Sequence, residues 1–205
     1  MALYQAQIPF EEEKISFNDH SWKSKVRTRL VPAKVPVLID GEDVIWDTIA
    51  ILEYIAEKFP DRQLWPGNAS ARAIARSACA EMHSSFISLR KAMPMNVTAS
   101  FPGFGWSIAV QTDIDRICEL WSECRSRFGA DGPFLFGRFS NADAMFAPIV
   151  LRFMTHAVRL PDDASDYCRA LRGTLAMKAW VADAAKENDF VQVDEPYRKP
   201  PTQVR

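Results

Sequence analysis

Apolar positions change their spacing about a third of the way along the chain. Near the start they come in short bursts. Residues 10–17 read as a strand with acidic residues along one side. Between Lys34 and Trp46, two short apolar runs rich in β-branched residues flank Asp40-Gly41, a turn pair that predicts a hairpin. The period then lengthens. Ile49, Leu52, Ile55, Ala56 and Phe59 trace one face of a helix that Asp47-Thr48 can cap and Pro60 closes.

The stretch Leu64-Trp65-Pro66-Gly67-Asn68 breaks this pattern and reads as a linker. Beyond it only helical spacing is found. Ala75, Ala78, Cys79, Met82, Phe86, Leu89 and Met93 step by three and four over about five turns. Val110, Ile114, Ile117, Cys118, Trp121 and Phe128 repeat the pattern. A third helix opens at Ser140 and runs to about Val158, and shorter ones cover residues 164–171 and 175–186. The tail is polar and rich in proline. The expected fold class is α/β plus all-α: a small mixed unit over residues 1–65, a helical unit over 68–190, and a loose tail over 191–205.

Composition narrows what such a chain does. With 205 residues it can bury a core without disulfides or metal. Hydrophobic residues make up 48% and charged residues 25%, which excludes wholesale disorder. A net charge of −1 gives no basic surplus for nucleic acid. No apolar run approaches a membrane span, and no secretory signal precedes the first element. Cys79, Cys118, Cys124 and Cys168 form no C-x-x-C pair and no zinc-spaced cluster, so reduced thiols in a cytoplasmic protein are expected.

Three local features then occur in order. Lys34-Val35-Pro36 opens the hairpin, Asp47-Thr48 starts the next helix, and Ser140-Asn141-Ala142-Asp143 is an S-x-x-D capping box. With the run from Trp46 to Ile55, and with Glu81-Met82-His83-Ser84-Ser85-Phe86 followed by Pro94-Met95-Asn96, the chain resembles the cytosolic glutathione S-transferase family, in a bacterial branch, over about residues 2–190. The resemblance implies a thioredoxin-like first unit, a helical second unit and a homodimer. It also implies glutathione as cosubstrate, with no metal or prosthetic group, while charge and apolar run length give the expectation of no nucleic-acid or membrane partner.

The chemistry of glutathione fits these positions. Its γ-glutamyl end carries an ammonium and a carboxylate. A helix N-terminus offers free N–H groups and partial positive charge for the carboxylate, with the Thr48 hydroxyl as a further donor. Asp47 beside it can pair with the ammonium. Plain N-capping is the alternative use of either residue. In the family the bond before the proline is cis, so the resemblance implies that the Val35 backbone pairs with the cysteinyl unit across Val35-Pro36. Lys34 either reaches the glycyl carboxylate or is a solvated lysine at a strand end.

For the acceptor, the family places a second pocket against the first two helices of the helical unit. His83, Phe86 and Arg90 fall at i, i+3 and i+7, with Cys79 a turn earlier, and Phe104 or Trp106 can approach from the following loop. That combination suits a small electrophile with some negative charge. Each has a structural alternative: core packing for Phe86, a satisfied histidine for His83 and an ion pair for Arg90. Lys23, Lys25, Arg27 and Arg29 make either a basic rim that steers glutathione or a solvated loop. Ser140 and Asp143 are assigned to capping.

The resemblance also implies a catalytic hydroxyl or thiol after a first strand. Residues 2–10 look like the end of the first helix and the approach to the second strand, so that strand and its catalytic turn are expected before Met1. Either the sequence starts late or is a fragment, or the protein is rearranged and non-catalytic. No residue is assigned to thiol activation; Tyr54 sits mid-helix and reads as packed. The expected activity is transfer of glutathione to a small electrophile, or a glutathione-dependent isomerisation. The alternative is a non-catalytic binder of glutathione or of a hydrophobic ligand.

Overall fold

The computed structural model describes residues 1–27, 31–187, 189, 191 and 194–197. The hairpin forms where its turn residues dictate. Strands β1 (Val37–Asp40) and β2 (Asp43–Trp46) pair antiparallel, with Val37 opposite Trp46 and Asp40 opposite Asp43. Gly41 takes φ +63° at the first position of the two-residue loop. A side chain would strain that backbone, and a glycine there matches the loop to the twist of the strands.

Helices α1 (Ala2–Gln5) and α2 (Trp22–Val26) precede the hairpin, and α3 (Thr48–Lys58) follows it. Asp47 caps α3: its carboxylate accepts from the Ile49 N–H at 2.9 Å. The inner face of α3 buries Leu52 and Ile55, and Ile55 packs with Ile8 and Leu64. Residues 10–17, expected to be extended in a sheet, form no strand. Among the described residues only β1 and β2 pair, so no neighbour supplies the ladder such a segment needs. Glu11, Glu12 and Glu13 stay in water, with Phe10 and Phe17 also exposed.

The second unit is helical: α4 (Ala69–Ser84), α5 (Ile87–Ala92), α6 (Ile108–Phe128), α7 (Asn141–Thr155), α8 (Asp162–Arg172) and α9 (Leu175–Ala184). Helix α7 runs through the core, burying eleven of its fifteen residues. Trp121 of α6 lies against Phe146 and Phe153 of α7 and against Tyr167 of α8, at centroid distances of 4.7 to 5.7 Å. These edge-on aromatic contacts add to the burial of large apolar surface.

The long stripe from Ala75 to Met93 is not one helix. It breaks at Ser85, which is extended, and Phe86, which takes φ +60°. The side chain of Asp113 in α6 accepts from the Leu89 N–H at 2.9 Å and so satisfies a first-turn donor of α5. Met82, Phe86, Leu89 and Met93 stay buried across the break.

The capping box at α7 is present. Asp143 accepts from the Ser140 N–H at 2.8 Å and from the Leu135 N–H at 3.1 Å. Between its members, Asn141 joins the two units. Its N–H donates to the Leu64 carbonyl at 2.8 Å, and its side-chain amide donates to the Leu52 carbonyl in α3 at 3.1 Å. The start of α7 is thereby held against α3.

Candidate functional site

A cavity of about 510 Å³ opens where the hairpin, α3, α4, α5 and α7 meet. Its first wall comes from the sequence-predicted glutathione residues: Lys34, Val35, Pro36, Asp47 and Thr48 all line it. The Val35–Pro36 bond is cis. Val35 is 48% exposed, and its N–H and C=O make no backbone hydrogen bond among the described residues. Asp47 holds φ +74° with ψ 132°, a sparsely populated conformation that costs a non-glycine residue about 1–3 kcal/mol. One of its carboxylate oxygens is used by the Ile49 N–H. The Thr48 N–H takes no hydrogen bond among the described residues, which leaves a donor and a hydroxyl at the positive end of α3.

The second wall comes from the helical unit. His83, at the end of α4, lines the cavity, and its Nε2 lies 3.1 Å from the other carboxylate oxygen of Asp47. Arg90 of α5 also lines it and donates from Nη1 to the His83 carbonyl at 3.1 Å. Two of the four expected acceptor residues are therefore there. The other two are not. Phe86 is 4% exposed and packs in the helical core, because the break before α5 turns it inward. Trp106 projects into solvent, with its indole N–H donating to Gln111 at 3.0 Å. Cys79 is core and Phe104 packs near Phe101 and Tyr197. Of the basic residues before the hairpin, Lys23, Lys25 and Arg27 stay outside the lining, and Lys25 pairs with Asp19 at 2.7 Å; Arg29 lies outside the described residues.

Helix α7 supplies what the sequence reading missed. Ala144, Pro148 and Arg152 follow at i, i+4 and i+8, and all three line the cavity together with Met145. Small Ala144 and the proline ring keep this stripe low. Pro148 also has no N–H to donate to the Ala144 carbonyl. Arg152 closes the stripe with a cation. Its Nη1 donates to the Met93 carbonyl at 2.7 Å, and its Nε is buried with no partner among the described residues. Burial, with the charge of Arg90 adding to it, pushes the guanidinium down to about 10; Asp194 offsets this in part. Arg152 remains charged at neutral pH.

No serine, tyrosine or cysteine lines this cavity among the described residues. Tyr54 is turned to the hairpin, where its hydroxyl donates to Asp40 at 2.9 Å and lies 3.1 Å from Asp43. Those carboxylates push its phenol up to about 12.

This geometry coincides with a sequence match. Residues 1–57 match the family model of the glutathione S-transferase N-terminal domain. Over these residues the chain carries the glutathione S-transferase N-terminal domain. It is 34% identical over 70 residues to a dichloromethane dehalogenase of Methylorubrum extorquens, a match covering 33% of this chain and 24% of that protein. It is 40% identical over 62 residues to a zeta class glutathione S-transferase of Euphorbia esula, covering 30% of this chain and 28% of that one. The chain thus spans about a quarter of the length of these relatives in its matches. Among solved structures, a glutathione transferase homolog from Burkholderia with bound glutathione is similar with a TM-score of 0.65. That likeness has 18% identity and covers 90% of this chain and 87% of that chain. The chain accordingly has the thioredoxin-like N-terminal unit, with its small antiparallel sheet, and the helical C-terminal domain. No helix among its described residues is long and apolar enough to cross a membrane.

Proposed function

We propose that the protein is a glutathione transferase, with residues 1–65 as the glutathione-binding unit and 68–190 as the helical unit that completes the acceptor site. The observation that carries this reading is the convergence of Lys34, Val35, Pro36, Asp47 and Thr48 on one wall of a cavity whose other wall is helical. Thr48 and the free end of α3 receive the γ-glutamyl carboxylate, and Asp47 receives the ammonium. The Val35 backbone pairs with the cysteinyl unit, and Lys34 faces the glycyl carboxylate. The cysteinyl sulfur then points to the volume between His83, Arg90 and α7.

The reaction in this reading is attack of the glutathione thiolate on an electrophilic carbon. A C–S bond forms, the thiol proton passes to solvent, and in a substitution the leaving group departs with its bonding pair. A glutathione-dependent isomerisation uses the same site, with the sulfur adding and later leaving. The reading includes a cytoplasmic homodimer with glutathione as cosubstrate and no resident metal.

The absence of a serine, tyrosine or cysteine from the described lining favours one rival, a non-catalytic binder of glutathione. A thermal melt with and without millimolar glutathione, followed by turnover of 1-chloro-2,4-dinitrobenzene, separates them. Glutathione at a hundred times its dissociation constant stabilises by about 2.7 kcal/mol. A shifted melt with turnover is the expected result. A shifted melt without turnover favours the binder, and an unshifted melt overturns both.

A further inference from the structure

Glutathione has two carboxylates, and the first wall of the cavity provides for both, at the start of α3 and at Lys34. Arg90 and Arg152 remain. They stand on α5 and α7, on the acceptor side, and both line the cavity. No carboxylate among the described residues lies within ion-pair distance of either guanidinium. Asp47 is the one acidic residue of the described lining, and it is engaged by Ile49 and His83.

This arrangement is costly without a ligand. Arg152 is part-buried, stands beside the like charge of Arg90 with only a partial offset from Asp194, and has a buried Nε without a partner among the described residues. Buried charges are normally paired, and one that is only partly compensated is unfavourable. Capping of α5 accounts for one nitrogen only, since Nη1 alone reaches the Met93 carbonyl and lies 3.4 Å from the Arg90 carbonyl. A planar guanidinium with free donors is matched best by a carboxylate. The neighbouring Met82, Met145, Ala144 and Pro148 give an apolar surface for a small carbon skeleton.

We propose that Arg152 and Arg90 form a carboxylate-binding subsite, and that the acceptor is a small organic acid. This rests on the transferase reading for its chemistry and on the two arginines for its selectivity. The carboxylate anchors one end of the acceptor, and the electrophilic carbon extends along the Ala144–Pro148 stripe toward the glutathione sulfur.

The test uses a matched, unreactive pair: 3-nitrobenzoate and 3-nitrobenzamide, titrated calorimetrically into the full chain with and without saturating glutathione. The acid is expected to bind at least tenfold more tightly than the amide. That preference should weaken with added salt and fall to near unity in Arg90→Gln and in Arg152→Gln. Arg90 is exposed, so its variant reports on the subsite even if the Arg152 variant is unstable. Equal affinities for acid and amide overturn the proposal, as does an acid preference that survives Arg90→Gln. If glutathione fails to bind while the acid preference holds, the transferase reading falls and the subsite stands. If glutathione binds and the preference is absent, the subsite falls and the transferase reading stands.

Discussion

His83 at the end of α4 reaches across the cavity to Asp47 at the start of α3, with Nε2 3.1 Å from the carboxylate. Asp47 therefore caps α3 through Ile49 and meets His83, and in the proposed reading it also receives the glutathione ammonium. The cap needs only a side-chain oxygen, whereas the ammonium needs the charge. Asp47→Asn separates the two. Asparagine retains the cap and tolerates a positive φ, so stability in urea should change by less than about 0.5 kcal/mol. Glutathione affinity, read by titration calorimetry, should fall by about 1–3 kcal/mol, or roughly five- to 150-fold. Unchanged affinity would remove Asp47 from the glutathione site.

What the sequence made legible here was local chemistry. A glycine after Asp40, an acid before Thr48 and the box from Ser140 to Asp143 act within three or four residues of themselves, and the structure has all three. What escaped it depends on distant partners. The break at Ser85 and Phe86 is supported by Asp113, which is 24 residues from the Leu89 N–H that it accepts. The strand expected over residues 10–17 needs a neighbour, and no strand among the described residues pairs with it. Arg152 escaped because a stripe reading counts apolar positions, and one arginine on such a helix looks like a surface residue. Its spacing from Ala144 and Pro148 was the available signal, and only the folded chain shows that this face meets a cavity.

Asn141 is the joint between the two units, and its loss should be felt on both sides. In Asn141→Ala the Leu52 carbonyl loses its second donor and the buried amide leaves a void. The expected cost is about 1–3 kcal/mol in urea unfolding. Because α3 and α7 carry opposite walls of the cavity, glutathione affinity should weaken as well, although Asn141 does not line it. A destabilised variant that binds glutathione as before would mean that the contact holds the fold but not the site.

The four cysteines offer a test against thiol chemistry by the chain itself. Burial pushes the thiols of Cys79 and Cys168 up to about 12, and those of Cys118 and Cys124 up to about 11. None lines the cavity. A thiolate is the reacting form, so all four should be slow toward alkylation near neutral pH. Iodoacetamide at pH 7.5 should leave the folded chain largely unlabelled and glutathione binding intact, while the chain in guanidinium should take up four labels. Rapid labelling of one native cysteine with loss of glutathione binding would place a reactive thiol at the site.

Asp143 should leave a signature in the pH dependence of stability. Burial pushes its carboxyl up to about 6, against an ordinary value of 3.8, even though N–H donors from Leu135 and Ser140 favour the charged form. Below about pH 4 the carboxyl is protonated in both the folded and unfolded chain and contributes no pH dependence. Between about pH 4 and 6 the unfolded chain releases this proton and the folded chain retains it, so stability falls as pH rises. Above about 6 the loss levels off at roughly 3 kcal/mol, since each pKa unit is worth 1.36 kcal/mol. Asp143→Asn removes this titration while the other carboxylates remain in both proteins and cancel on comparison. Urea midpoints at pH 4, 5, 6 and 7 should therefore show the stability advantage of the natural chain over the variant shrinking as pH rises, by an amount of that order. An advantage that stays constant with pH would mean that the capping carboxylate is already charged when the chain folds, and that its hydrogen bonds outweigh its burial.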